Sequence, residues 1–237
     1  GGRQENQDRF LVDSAHHLLL VADGVGGLKE GGLAAELACQ STHSNLLAGL
    51  PLESAVSGSS AAIAKEATLR AITGGMGSTI VAAQWSSSRF QLVWVGDSSA
   101  RSYWTGGCYR LTRDHSEVSE WSSQGIHTGS GTSGQPRKHV LTQALGVTSA
   151  GELRLGRNEG VLRSGEWLML ASDGVTNTLS AEEICGLLTD TADAAAATRG
   201  IMEATLAKRP SDNVTLILAR WSGPDGDLED LPRVYPG

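Results

Sequence analysis

The sequence predicts an α+β fold built on antiparallel sheet. Short runs rich in Val, Leu and Ile follow one another through the middle of the chain instead of alternating one for one with helices. Helical segments are grouped, around 33–71 and around 181–208. The runs at 77–85 and 90–97 are separated only by Ser86, Ser87, Ser88 and Arg89, the spacing of a hairpin. A doubly wound parallel sheet needs strict alternation and does not fit.

Strands are expected over 10–14, 18–23, 77–85, 90–97, 100–104, 109–112, 166–172 and 213–221, with a further strand opening at His139 in the segment HVLTQALG. Helices are expected over 33–47, 52–71, 117–124, 181–189 and 192–208. Ser180 and Glu183 have capping-box spacing, and Ile184, Leu187 and Leu188 supply the apolar face that follows. The last helix is rich in alanine, the strongest helix former, and Pro210 ends it. Residues 125–138 read GIHTGSGTSGQPRK, without periodicity, and are expected to be a mobile loop. Residues 223–237, with Asp225, Asp227, Glu229 and Asp230 among prolines, read as a frayed acidic tail.

A chain of 237 residues suits one large domain, expected over 1–222. The 30 glycines are about twice the usual share, but with six prolines and no Gly-X-Y period they do not signal collagen. The balance 19 − 26 = −7 argues against a protein that grips nucleic acid by a basic surface, and against a polybasic membrane anchor. No apolar run approaches the ~20 residues of a membrane helix. Cys39, Cys108 and Cys185 are too scattered for a disulfide framework, which suits a reducing cytoplasm. His16, His17 and His43 sit in polar contexts and read as bland surface residues. Trp85, Trp94, Trp104 and Trp221 fall at strand positions and read as packing.

The informative pattern is aspartate at strand ends. Leu19-Leu20-Val21-Ala22-Asp23-Gly24 and Leu168-Met169-Leu170-Ala171-Ser172-Asp173-Gly174 are near copies, each an apolar strand closing on Asp-Gly. Apolar strands belong in the interior of a sheet, so each carboxylate is delivered to a fixed place at its edge. Glycine next to it is expected to allow unusual φ and close approach of the backbone carbonyl to a ligand. Asp212-Asn213 and Asp8 each precede a strand. In antiparallel sheet, starts and ends of neighbours meet, so Asp8, Asp23, Asp173 and Asp212 can converge. Converging carboxylates repel unless protonated or bridged by cations, and oxygen-only ligands select hard ions such as Mg²⁺, Mn²⁺ or Ca²⁺. Arg3 nearby suits bidentate capture of a phosphoryl group.

Together RQENQD (3–8), VADGVGG (21–27), GSTIVAA (77–83), VGDSSAR (95–101), LTRDHS (111–116), HVLTQALG (139–146), LASDGVTN (170–177) and DNVTLIL (212–218) resemble the metal-dependent protein phosphatases, the PPM or type 2C Ser/Thr family in its bacterial form. The resemblance implies an α-β-β-α sandwich of two facing antiparallel sheets flanked by helices. It implies that Asp23 bridges two Mn²⁺ or Mg²⁺ ions, that Asp173 and Asp212 complete the first, and that the Gly24 carbonyl serves the second. Asp8 would act through metal-bound water, Asp114 would share a third ion with Asp173, and Arg3 would bind the phosphate. A substrate-facing flap would occupy about 117–138. Two family histidines are replaced, by Val25 and Leu28, which leaves the general acid unassigned; a metal-bound water near Asp114 is a candidate. Gln7 stands where many relatives carry Glu, which is expected to change metal affinity without abolishing activity. His115 is expected to orient the Asp114 loop by hydrogen bonding, and His139 to be structural.

The implied reaction is direct attack of a metal-bridging hydroxide on phosphoserine or phosphothreonine in a protein. Implied partners are the phosphorylated substrate and a cognate Ser/Thr kinase, for a cytoplasmic monomer without nucleic acid or membrane segment; the pathway is open, secretion-system signalling among the options. Rival readings are a non-catalytic pseudophosphatase that binds phosphoproteins or a kinase, and a phosphatase of an anti-sigma-factor antagonist or of small phosphoesters. Other chemistries lack their residues. None of the three cysteines starts Cys-x5-Arg, and no G-x-x-x-x-G-K-[ST] loop or G-x-S-x-G elbow occurs. The G-x-G-x-x-G match at Gly129 to Gly134 has no strand before it and is not a dinucleotide site.

Overall fold

A computed structural model describes residues 5–25, 30–104, 107–123, 140–189, 191 and 193–224. Among them two antiparallel sheets form. The first has the order β1 (Asp8–Asp13), β2 (Leu18–Asp23), β3 (Ile80–Ser86), β4 (Arg89–Val95) and β7 (Gly156–Val161). The second has the order β6 (Gly107–Arg110), β5 (Ser99–Trp104), β8 (Trp167–Ala171) and β9 (Leu216–Arg220). Helices α1 (Gly31–Leu47) and α2 (Leu52–Leu69) cover the first sheet, and α5 (Ala181–Thr189) and α6 (Ala194–Ala207) cover the second. Two short helices, α3 (Glu117–Ser123) and α4 (Asp173–Thr176), lie in connections. The expected α-β-β-α sandwich is what the chain forms.

The layering follows from period-two patterning with both strand faces buried. In β2, Leu18, Leu20 and Ala22 pack under α1 and α2 with Ala34, Ala38 and Ile63, while Leu19 and Val21 face the other sheet. In β8, Trp167, Met169 and Ala171 pack under Ile184 and Ile201, while Leu168 and Leu170 meet Leu19 and Val21 between the sheets. Both strands are flanked on each side, as their continuous apolar runs require.

Element ends differ from expectation in instructive ways. The hairpin turn is tighter than four residues: Ser86 pairs with Arg89, and Ser87 takes a left-handed φ of 52°. The Ser180 capping box forms in both directions, with Ser180 N–H donating to Glu183 Oε2 at 2.9 Å and Glu183 N–H to Ser180 Oγ at 3.2 Å. Helix α6 starts two residues after the expected 192, because Asp193 caps it, accepting from the N–H groups of Ala195 and Ala196. The segment from Leu141 to Leu145 makes only isolated bridges, Leu141 to Ser116 and Leu145 to Ser78, and is no regular strand. His139, where that strand was expected to open, lies outside the described residues.

The edge strand β7 was not expected. It reads GRNEGV, with neither an apolar run nor clean alternation. Its glycines explain its place: a Cβ at Gly156 would lie 2.0 Å from the Trp94 ring, and one at Gly160 would lie 2.7 Å from the Phe90 ring. Trp94 and Phe90 take up the space that side chains on β7 would need. Trp94 is buried, and Trp85 and Trp221 pack beside it in the inter-sheet core, as expected of strand tryptophans.

Candidate metal centre

The acidic residues gather where the two sheets open. Asp8, the first residue of β1, is paired in register with Asp23, the last of β2. Two segments from the second sheet reach across to them. Ser172, just after β8, donates from Oγ to Asp8 Oδ2 at 2.8 Å and accepts the Thr215 N–H at 3.1 Å. Gln7 N–H donates to Asn213 Oδ1 at 3.0 Å. These bonds tie the start of β1 to the segments that carry Asp173 and Asp212. Asp23 is fixed from its other side: its N–H donates to Thr79 Oγ1 at 3.0 Å, and its carbonyl accepts from the Thr79 N–H at 2.8 Å and Ser78 Oγ at 3.0 Å.

The two Asp-Gly glycines are needed for a reason other than the one expected. Neither Gly24 nor Gly174 has a positive φ. Each is instead crossed by another backbone: a Cβ on Gly24 would lie 2.4 Å from the carbonyl of Gly31, and one on Gly174 would lie 1.9 Å from the carbonyl oxygen of Asn213. The absence of a side chain is what lets the Asp212-Asn213 segment lie against the Asp173-Gly174 turn.

The electrostatics match this crowding. Asp23 is pushed up to about 9, first by burial and then by the charges of Asp8, Asp173 and Asp212. Asp8 is buried, and its Oδ1 has no hydrogen-bond partner among the described residues. A buried carboxylate oxygen whose one available donor is a neighbouring carboxyl, Asp23, and then only while that group keeps its proton, fits divalent cations better than it fits a closed hydrogen-bond network. All the gathered side-chain donors are oxygens, which favours Mg²⁺ or Mn²⁺ over zinc.

Asp114 sits one step away from this cluster. Its carboxylate is paired with the Arg110 guanidinium, and burial raises its affinity for a proton while Arg110 and Arg101 lower it. A further aspartate, not expected from the sequence, feels the charges of both Asp114 and Asp173. Asp97 is pushed up to about 7 by burial, then by the charges of Asp173 and Asp114. The signal was present: Leu92-Val93-Trp94-Val95-Gly96-Asp97 is a third apolar strand closing on aspartate, with the glycine before it instead of after. His115 orients this loop as expected. Its Nδ1 accepts the Gly96 N–H at 3.3 Å, its own N–H donates to Gly96 O at 2.9 Å, and its ring stacks on Trp94. Burial lowers His115 to about 4, so the ring is a neutral acceptor. Ser172, which joins the two sheets through Asp8, was also not singled out in advance. Arg3, Leu28 and all of the flap beyond Ser123 lie outside the described residues.

An oxygen donor set at the mouth between two antiparallel sheets is the layout of a metal-dependent hydrolase. The comparisons with known proteins narrow the class. The family model for protein phosphatase 2C matches residues 2–209. The serine/threonine phosphatase stp of Listeria innocua is 30% identical over 194 residues, 78% of this chain and 74% of that protein. Two solved structures are similar throughout. The catalytic domain of the serine/threonine protein phosphatase PstP, in complex with two manganese ions, superposes with a TM-score of 0.78 at 26% identity, covering 93% of this chain and 94% of that one. PppA of Pseudomonas aeruginosa, described as a key regulatory component of its type VI secretion system, superposes at 0.77 and 26%, covering 92% and 93%. The chain belongs to the protein phosphatase 2C family.

Proposed function

We propose that this chain is a metal-dependent protein serine/threonine phosphatase that hydrolyses phosphoserine and phosphothreonine, opposes a Ser/Thr kinase and works in the cytoplasm as a monomer. The observation that carries the reading is the meeting of Asp8, Asp23, Asp173 and Asp212, from four separate segments, at one edge of the sandwich. Among the described residues no helix is long and apolar enough to cross a membrane.

Asp23, Asp173, Asp212 and the Gly24 carbonyl would hold two Mn²⁺ or Mg²⁺ ions. Asp97, which feels the charges of both Asp173 and Asp114, would serve a third better than Asp114, whose carboxylate is already engaged by Arg110. When bound, such ions make a water acidic and offset the charge that builds on the phosphoryl oxygens. The protein's own part is positioning. Ser172 holds one oxygen of Asp8 and leaves the other directed into the centre, where it can orient a water or accept its proton. Arg3 would neutralise the phosphate by a paired guanidinium contact. Val25, anchored by its N–H to the Gly77 carbonyl at 2.9 Å, has no proton to give, so the leaving oxygen takes its proton from water or from an acid near Asp97 and Asp114.

Asp173→Asn should abolish Mn²⁺-dependent hydrolysis of p-nitrophenyl phosphate and of a phosphothreonine peptide while the circular dichroism spectrum stays that of the parent. Full retained activity would overturn the assignment. The natural substrate would be read from phosphoproteins that accumulate in a deletion strain.

A further inference from the structure

At the opposite end of the β1–β2 hairpin, Asp13 closes β1 and starts the turn. Its Oδ1 accepts the N–H groups of Ala15 and His16 at 3.0 and 3.1 Å, which fixes the carboxylate plane. That leaves Oδ2 pointing at two imidazoles. His16 Nδ1, from the turn, and His43 Nε2, from α1, each lie 2.7 Å from it. The three ligand atoms all lie within 4.8 Å of one another. The rings meet edge to face with centroids 6.5 Å apart. His17, in a left-handed conformation with φ 54°, turns the chain so that its ring rests near Trp85 and leaves the cluster to His16.

We propose that Asp13, His16 and His43 form a second metal site, for a borderline transition ion of the Zn²⁺ class. Two imidazole nitrogens and one carboxylate oxygen are a facial donor set, with water free to complete the coordination because His16 is largely exposed. Ligands about 2.0–2.2 Å from zinc sit about 3.3 Å from each other in a tetrahedron, so the nitrogen–oxygen pairs would open by about 0.6 Å. His16, on an exposed turn, can supply that movement. Both rings now present N–H to Asp13. On binding, each moves its proton to the other ring nitrogen, or loses it if protonated, and offers a lone pair to the ion. The two histidines hold the Asp13 carboxyl well below the usual range, so the anionic ligand is ready at any ordinary pH. The donor set separates the two sites chemically: nitrogen here, oxygen alone at the sheet mouth. Because the site links the β1–β2 turn to α1, an ion in it would clamp the edge strand to the helix that covers it.

The test uses the full chain with its acidic centre kept saturated by Mn²⁺, titrated with Zn²⁺ in a calorimeter. One additional equivalent of Zn²⁺ should bind, with a rise in melting temperature and weaker binding as pH falls. His16→Ala and His43→Gln should each weaken that equivalent by about tenfold or more, with p-nitrophenyl phosphate hydrolysis unchanged in Mn²⁺ alone. The Asp23→Asn protein, whose acidic centre is impaired, should keep it, which tells the new site from displacement of Mn²⁺. Zinc binding that is the same in parent, His16→Ala and His43→Gln, or no additional equivalent in the parent, would overturn the proposal and leave the cluster as a hydrogen-bonded turn only.

Discussion

The two ends of the β1–β2 hairpin carry aspartates in opposite situations. At the open end Asp8 faces Asp23, and burial with neighbouring carboxylates pushes Asp23 up to about 9. At the turn end Asp13 accepts from two backbone N–H groups and two imidazoles, which hold it well below the carboxylate range. The side chain is the same; the partners decide its chemistry. An acid surrounded by donors stabilises the fold as an anion. An acid surrounded by acids costs stability as an anion, and that cost is what a bound cation would relieve.

The largest effect should come from breaking the open end. Asp23→Asn should lower Mn²⁺-dependent turnover by about a thousandfold or more, a barrier change of about 4 kcal/mol, in a steady-state assay. The same substitution should raise the melting temperature of the metal-free protein at pH 7 and above, since folding then no longer has to protonate Asp23 or, above about 9, hold its charge beside three other carboxylates. Loss of activity together with a lower metal-free melting temperature would mean that the carboxylates do not repel as described. Next in size, Gly174→Ala should cost about 2–4 kcal/mol in urea denaturation, because a Cβ would overlap the Asn213 carbonyl oxygen. Ser172→Ala, which removes the donor to Asp8 and the acceptor for Thr215 N–H, should cost about 1–3 kcal/mol and also lower turnover.

The pH dependence separates the two ends more finely. Asp23 has a folded value above its unfolded one, so its contribution is intact below about pH 4 and is lost as pH rises through about 9. Melting temperatures with and without Mn²⁺ should therefore diverge as pH rises over that window. Asp13 has the opposite sign: its contribution is present above its unfolded value near 3.8 and disappears as pH falls towards its lowered folded value. Asp13→Asn should thus give the smallest change, a modest fall in melting temperature at neutral pH that vanishes in acid, with turnover untouched.

The sequence disclosed most where burial was two-sided. β2 and β8 read as interior strands because both faces needed apolar residues, and the aspartates at their ends were legible for that reason. β7 was hidden because it contributes glycines under Trp94 and Phe90 in place of side chains of its own, a relation between distant residues that no local pattern carries. Asp97 was overlooked because its glycine precedes it, although the strand before it obeys the same rule as the other two. The His16–His43 pairing was also out of reach: a histidine on a turn and one on a helix, 27 positions apart, become neighbours only when α1 lies across β1.

The hairpin's length has a bearing on how the protein handles ions. Five steps along β2 from Leu18 to Asp23 cover about 17 Å, twice the about 8 Å over which salt at physiological strength lets an exposed charge be felt. Charge placed on the exposed turn is therefore strongly damped by the time it reaches the sheet mouth. The hairpin works as a spacer, and coupling between its ends depends more on the stiffness of its paired strands than on charge.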